Sequence, residues 1–166
     1  MKKINLTLAL LFMTFMAWSQ ASFLSEFEQK WANAKAYTLE LAESMPESAF
    51  DFSPTEEQMT FKEQLLHITS NMVWLTSSYL DGEKLEADLK KEGYTKAEVI
   101  QILTDGFDNA AEAVKNFPVE DLETEVKFFA GPMSKRQIMV LMNDHVTHHR
   151  GQIIVYARLK GIKPPR

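Results

Sequence analysis

Three of the four histidines in this chain lie within five residues, in the stretch NDHVTHHRGQ at 143–152. His145 and His149 are four residues apart, so on a helix their side chains lie one above the other on one face. Neutral imidazole nitrogens bind divalent cations, and one cation can be held by both rings at once. His148 falls about 80° to one side of this pair and is therefore a flanking residue.

Two other interpretations of the histidine pair compete with a metal site. Histidines can be held in a core by hydrogen bonds to carboxylates or carbonyls, or they can cluster on a solvated surface. The four-residue spacing disfavours the first interpretation, because two protonated neighbours repel each other. The apolar positions in line with the pair disfavour the second, so the spacing favours a metal site.

A metal site needs a further ligand, and His67 is the one remaining histidine. The sequence motifs of three other kinds of active site are absent from the chain. Val146 follows His145 where zinc proteases have a glutamate, and the chain has neither a glycine-rich phosphate loop nor a Gly-x-Ser-x-Gly turn. The sequence therefore gives no support to a zinc protease, a nucleotide-binding site or a serine hydrolase.

Four predicted helices position these residues. Each begins with a capping box, a Ser or Thr followed three residues later by Glu or Gln. The boxes start at Ser25, Thr60, Thr95 and Ser134. Each periodic segment then ends near a proline or a glycine. The predicted helices span about residues 25–45, 60–80, 95–117 and 134–160.

The predicted connections are long for a simple up-and-down bundle. Residues 46–59 and 118–133 exceed the usual length of roughly two to eight residues, so we expect them to cross the bundle or cover one end. Residues 82–94 are mostly charged and predict a solvated linker. The predicted fold is all-α, a four-helix bundle with long connections between helices 1–2 and 3–4.

The third and fourth helices each show an apolar stripe. In the third helix the stripe is small at its middle, around Gly106 and Ala110, which predicts either close helix approach or free space. In the fourth helix the inward stripe contains two histidines and continues to a glutamine. Its members are Ile138, Met142, His145, His149, Gln152 and Tyr156. This stripe predicts that both histidines lie in the middle of the core.

The N-terminus has the features of a secretory signal peptide. Lys2 and Lys3 precede a largely apolar run at 4–17, and Ser19-x-Ala21 fits the small-residue cleavage rule. The apolar run is too short for a stable membrane span. We therefore predict a signal peptide at 1–21, a single domain at 22–166, and a secreted or periplasmic protein without membrane attachment after cleavage.

Charge and cysteine content indicate which partners and which sources of stability to expect for the mature chain. The formal net charge is −5, and loss of the two signal-peptide lysines makes it −7, so nucleic acid is not an expected partner. There are no cysteines, so in an exported protein stability must come from packing or from a metal rather than from disulfides. A small-molecule substrate and a homodimer are both compatible with the sequence.

Several segments resemble the DinB-like family of four-helix-bundle metalloproteins. They are QLLHI at 64–68, HVTHHRGQ at 145–152, LKGIKPP at 159–165 and, more loosely, the first connection around 43–54. The resemblance covers essentially the whole mature chain.

This resemblance implies a three-histidine site for a divalent ion, Zn, Ni or Fe, with open positions for water or substrate. The implied ligands are His67, His145 and His149. His148 falls outside the ligand pattern and becomes a neighbour of the site, while Gln152 lies nearly one turn beyond the last ligand and is expected to orient it or a bound water.

Two function hypotheses follow. Some members of the resembled family are thiol-dependent transferases or isomerases, so the first is an exported metal-dependent transferase or hydrolase. The alternative is a non-catalytic metal-binding or stress-related bundle. No general acid or base is recognisable near the three histidines, so no catalytic residue is assigned.

Overall fold

Four long helices form an all-α bundle in the computed structural model, which describes the backbone of residues 2–165 and the side chains of 22–165. The helices are α1 (Lys2–Ser44), α2 (Phe61–Tyr79), α3 (Lys96–Lys115) and α4 (Lys135–Leu159). Two short antiparallel strands, β1 (Glu125–Val126) and β2 (Met133–Ser134), form a small hairpin just before α4. The predicted fold class is confirmed.

Three of the four predicted capping boxes form. At the start of α2, the Glu63 amide donates to Thr60 Oγ1 at 3.2 Å, and Glu63 Oε2 accepts from the Thr60 amide at 2.6 Å. The same reciprocal pair opens α3 at Thr95 and α4 at Ser134. In each box, a side chain accepts a hydrogen bond from a backbone N–H that has no partner inside the helix. Because both residues of the box are close in sequence, the three helix starts could be predicted from the sequence.

The capping box predicted at Ser25 is wrong, because α1 already begins at Lys2 and Ser25 lies within it. Inside a helix the backbone N–H bonds to the preceding turn, so no free donor remains for a cap. The predicted signal peptide at 1–21 lies outside the described side chains. Over the part of the chain that is described, no helix is long and apolar enough to cross a membrane.

Around the bundle the helices follow the order α1, α3, α2, α4, so α1 lies diagonally opposite α2, and α3 diagonally opposite α4. The predicted long connections, 46–59 and 118–133, join these diagonal pairs. The α1 and α4 helices are parallel, since Arg136 packs on Phe23 and Arg150 on Tyr37. Helices α2 and α4 are antiparallel, which sets the pairing of the histidines described below.

The segment 82–94 is more than the solvated linker that its composition predicts. It contains no buried residue, but its end at 89–94 lines one cleft with Thr60 and Glu63, at the N-terminal end of α2. The chain therefore runs back along α2 before α3 begins, and α2 and α3 are parallel neighbours. This third long connection leaves α2 packed between α3 and α4.

Close approach of α2 and α3 explains the small residues in the middle of α3. A Cβ atom on Gly106 would lie 2.7 Å from Thr69 Cγ2, a distance that real Cβ atoms do not adopt. The stripe predicted for α3 consists of Val99, Ile102, Leu103, Gly106, Ala110, Ala113 and Phe117. It is buried except at Ala113, which is half-buried, while Phe107 and Val114 also enter the core. Of the two alternatives that the sequence left open, close helix approach and free space, the structure has close approach of α3 to α2.

Candidate metal centre

The antiparallel pairing of α2 and α4 brings His67 against the histidine pair of α4. His67 Nε2 lies 3.2 Å from His145 Nε2. The three ring centroids of His67, His145 and His149 are 4.4 to 4.9 Å apart, and one nitrogen from each ring lies within 4.8 Å of the others. Among the described side chains this is the one group of three or more His, Cys, Asp or Glu residues placed to hold a metal ion.

The histidines lie at the rim of the core and not in its middle, where the sequence placed them. His67 and His145 are half-buried, and His149 lies between half-buried and buried. The centre of the α4 core face is instead occupied by Val146 and Ile153, each fully buried and seven residues apart. The core face of α4 is therefore centred to one side of the predicted stripe, and the prediction that both histidines lie in the middle of the core is wrong.

His67 reaches the cluster although it is offset from the main apolar stripe of α2. That stripe consists of Phe61, Leu65, Ile68, Met72 and Leu75, all fully buried. That stripe faces α3, where Thr69 and Met72 pack near Gly106. The offset face of α2 meets α4, because α2 is packed between two helices. The position of His67 therefore follows from contact over a broad arc of α2.

Gln64 is a residue of the candidate site that sequence reasoning did not assign. It lies three residues before His67 on the same face of α2, and it is buried, with 3% of its surface exposed. His149 Nδ1 lies 2.6 Å from Gln64 Oε1. Because an amide oxygen can only accept, Nδ1 carries the proton and Nε2 of His149 keeps its lone pair free for a ligand. The signal was present in the sequence as a glutamine one turn before the candidate ligand.

Gln152 and His148 connect to the cluster through Gln64. Gln64 Nε2 donates to Gln152 Oε1 at 2.6 Å, and Gln152 Nε2 lies 2.8 Å from His148 Nε2 as donor to acceptor. Gln152 thus contacts the amide that orients His149, whereas the sequence predicted that it orients either His149 itself or a bound water. His148 is exposed and stands 4.9 Å from His149, centroid to centroid, at an angle of 85°.

The first connection closes this polar network from one end. The Tyr156 hydroxyl lies 3.0 Å from both Gln58 Oε1 and Met59 O, and it accepts from Gln64 Nε2 at 3.5 Å. Phe52 packs edge-on against the Tyr156 ring. Gln64 is therefore held by three residues of α4, and the first connection in turn holds the hydroxyl of one of them, Tyr156.

Burial and mutual repulsion keep the histidines neutral. Burial, followed by the charges of His149 and His67, lowers the pKa of His145 to about 4. Burial and then His67 and His148 lower the pKa of His149 to about 4, and burial lowers the pKa of His67. At neutral pH all three rings therefore have a lone pair to donate.

The donor set fits a divalent transition metal. With metal–nitrogen bonds near 2.1 Å, tetrahedral or octahedral angles put ligand nitrogens about 3.0 to 3.4 Å apart, and the His67–His145 separation of 3.2 Å falls in this range. His145 Nδ1 is buried without a hydrogen-bond partner, as is Asn71 Oδ1 one turn beyond His67. Imidazole ligands suit Zn, Ni and Fe, whereas Mg and Ca prefer oxygen.

The fold and the cluster together define a class: four-helix-bundle proteins with a three-histidine group between two antiparallel helices. The DinB family model matches residues 16–166, and this chain belongs to the DinB family.

Known relatives agree with this assignment. The curated protein YjoA of Bacillus subtilis strain 168, described as uncharacterized, is 23% identical over 127 residues, which cover 75% of this chain and 82% of YjoA. The crystal structure of YjoA, a DinB-like protein, has a TM-score of 0.71 at 20% identity and covers 85% of this chain and 96% of its own. A DinB-like protein from Bacillus cereus ATCC 10987 has a TM-score of 0.74 at 20% identity, covering 84% of this chain and 94% of its own. These structures support the fold.

The lowered pKa values predict how the stability of the metal-free protein depends on pH. Between about pH 4 and 6.5 the unfolded chain binds more protons than the folded one, because the folded pKa of His145 and His149 is about 4 and the unfolded value is 6.5. The free energy of unfolding should therefore fall as the pH is lowered through 6.5 towards 4. Urea unfolding in the presence of EDTA, at several pH values between 4 and 6.5, measures this free energy.

Carboxylates elsewhere also titrate in the lower part of this range, so variants are needed to isolate the histidine contribution. His145→Gln and His149→Gln should each flatten the slope, whereas His148→Gln should change it less, because burial and His67 lower the pKa of His149 more than His148 does. An identical slope in all three variants would contradict this account.

Proposed function

We propose that this chain binds a divalent metal ion, Zn, Ni or Fe, through His67, His145 and His149. The observation that carries the proposal is the convergence of three neutral ring nitrogens within 4.8 Å, two of them 3.2 Å apart. Three neutral ligands on two antiparallel helices leave the solvent side of the ion for other ligands. The partly exposed position of the cluster supports access from solution.

Each surrounding residue has a defined part in this proposal. Gln64 fixes the tautomer of His149, and Gln152 and Tyr156 hold the Gln64 amide in place. When bound, an ion with three neutral ligands lowers the pKa of a coordinated water or thiol and polarises a bound substrate. The lowered pKa values of the histidines keep the ligands from being lost to protons at neutral pH.

The function that this site supports best is a metal-dependent transferase or hydrolase acting on a small molecule. Three protein ligands and open positions are the arrangement of catalytic centres, since structural sites usually have a fourth protein ligand. The alternative is a non-catalytic metal-binding or stress-related protein. It is favoured by one observation: within the described residues, the ligand cluster contains no carboxylate to act as general base.

Removal of single histidines tests the ligand assignment. His67→Ala, His145→Ala and His149→Ala should each lose most of the bound metal, and added metal should no longer raise their melting temperature, because binding free energy adds to folding free energy. His148→Ala is the matched control and should keep both properties. Metal content by mass spectrometry and melting curves with and without EDTA give the result. Equal loss in all four variants, or no metal in the unaltered protein, would contradict the proposal.

Gln64 provides a second test that leaves all ligands in place. Gln64→Leu keeps the approximate size but removes the acceptor of His149 Nδ1, so metal affinity should fall by about 10- to 100-fold. Gln64→Glu keeps an acceptor and should retain tighter binding than Gln64→Leu. Competition with a chromophoric chelator measures both affinities. Equal affinities of Gln64→Leu and the unaltered protein would show that the amide does not position the ligand.

We also propose that the protein is exported, with residues 1–21 removed. The support is the sequence of the N-terminus, namely Lys2 and Lys3, the apolar run at 4–17 and the Ser19-x-Ala21 cleavage pattern. Native material should therefore begin at Ser22, or at Gln20 if cleavage follows Ser19. N-terminal sequencing of protein from the extracellular or periplasmic fraction checks this, and intact Met1 in the cytosol would refute it.

A further inference from the structure

An aromatic surface lies beyond the histidine cluster, at the end of the α2–α4 face where α4 begins. Trp74 of α2 packs near Phe128 and Phe129 of the β1–β2 hairpin, with ring centroids 5.8 and 6.4 Å away and ring planes inclined by 35° and 32°. Phe128 and Phe129 are 4.4 Å apart. Trp74, Phe128 and Phe129 are called here the aromatic platform.

The platform is exposed although its side chains are apolar. Phe129 is 85% exposed and Trp74 is 40% exposed, whereas Phe128 is buried and anchors the hairpin. The Gly131 amide bonds to Phe128 O, and the strand pair β1–β2 closes the hairpin on which Phe129 stands. An exposed phenylalanine next to an exposed tryptophan gains little from folding, and exposed apolar patches of this kind are typical of binding sites.

The platform is in line with the candidate metal ligands. Trp74 is seven residues after His67, which on a helix places it about 20° away around the axis and about 10 Å along it. Asn71 lies between them on the same face, and its Oδ1 is buried without a hydrogen-bond partner. One face of α2 therefore carries the candidate metal ligand His67 and, two turns further on, the partly exposed indole of Trp74.

The exposed area is too small for a stable protein interface. Phe129 and Trp74 together offer at most a few hundred Å², since a whole aromatic side chain buries about 150 to 250 Å². A stable interface takes roughly 800 Å² from each partner. The same area is well matched to one flat group of a small molecule.

We propose that the aromatic platform binds a flat apolar group of a small-molecule ligand whose polar head occupies the open positions of the metal centre. This inference rests on the proposed metal site and specifies the class of ligand. The head carries oxygen or sulfur donors for the ion, and an aromatic or similarly flat group lies about 10 Å away.

Hydroxamates test this arrangement, because their head group binds metal ions and their tail can be varied. The probes are acetohydroxamate, hexanohydroxamate and phenylhexanohydroxamate, measured by titration calorimetry on the metal-loaded protein. The terminal ring should raise affinity over hexanohydroxamate by roughly three- to tenfold, from stacking on the platform. Acetohydroxamate, which cannot reach the platform, reports the metal centre alone.

Variants assign the gain to the platform. Phe129→Ala and Trp74→Ala should each reduce the advantage of the terminal ring and leave the affinity for acetohydroxamate unchanged. Phe129 is 85% exposed, so its removal should not affect folding. Leu159→Ala is the matched control, because Leu159 is a 60% exposed apolar residue at the other end of α4.

The outcomes separate this inference from the proposed function. If the metal-loaded protein binds acetohydroxamate but the terminal ring gives no gain, or gives the same gain in both platform variants, the inference is overturned and the metal site stands. If the protein takes up no metal, the proposed function and this inference fall together. A change from dimer to monomer in Phe129→Ala, without any effect on the probes, would assign the platform to contact between copies of the chain and overturn ligand binding.

Discussion

The hydrogen bond between Gln64 Oε1 and His149 Nδ1, 2.6 Å long, is the interaction on which the arrangement of the site depends. It joins α2 to α4 at the level of the cluster and fixes which nitrogen of His149 is free. Gln64 is buried and its amide is used at both ends, since Nε2 bonds to Gln152. A buried amide with partners at both its oxygen and its nitrogen has one orientation, because any rotation would leave polar atoms unpaired at a cost of about 1 to 3 kcal/mol each.

The aromatic packing of the core and the candidate metal site lie on different sides of the bundle. Between α1 and α3 the packing is aromatic and deep: Trp31 stacks on Phe27, meets Phe107 at 5.1 Å and donates to the Phe107 carbonyl. Between α2 and α4 the rim is polar, with two buried atoms lacking partners, His145 Nδ1 and Asn71 Oδ1. Such groups cost free energy that the apolar side of the bundle must offset, a common property of sites retained for binding.

Sequence reasoning succeeded where the determinants are local. Capping boxes at Thr60, Thr95 and Ser134 define three helix starts because both partners lie within four residues. The box at Ser25 failed because its meaning depends on whether the preceding residues are helical. The four-residue spacing alone predicts that His145 and His149 share one face of α4. It does not predict how deeply they are buried, because burial depends on how the neighbouring helices pack.

The contacts between residues of α2 and residues of α4 cannot be predicted from the spacing of histidines along the sequence. His67 meets His145 because α2 and α4 are antiparallel with a particular register, and that register follows from the return of the chain along 82–94 and from the diagonal connections. Gln64 then reaches His149 through the same register, one turn away. Structural relatives below 25% identity share this bundle, and a bundle is compatible with many activities. The proposed class of ligand therefore rests on the residues along the α2 face and not on the fold.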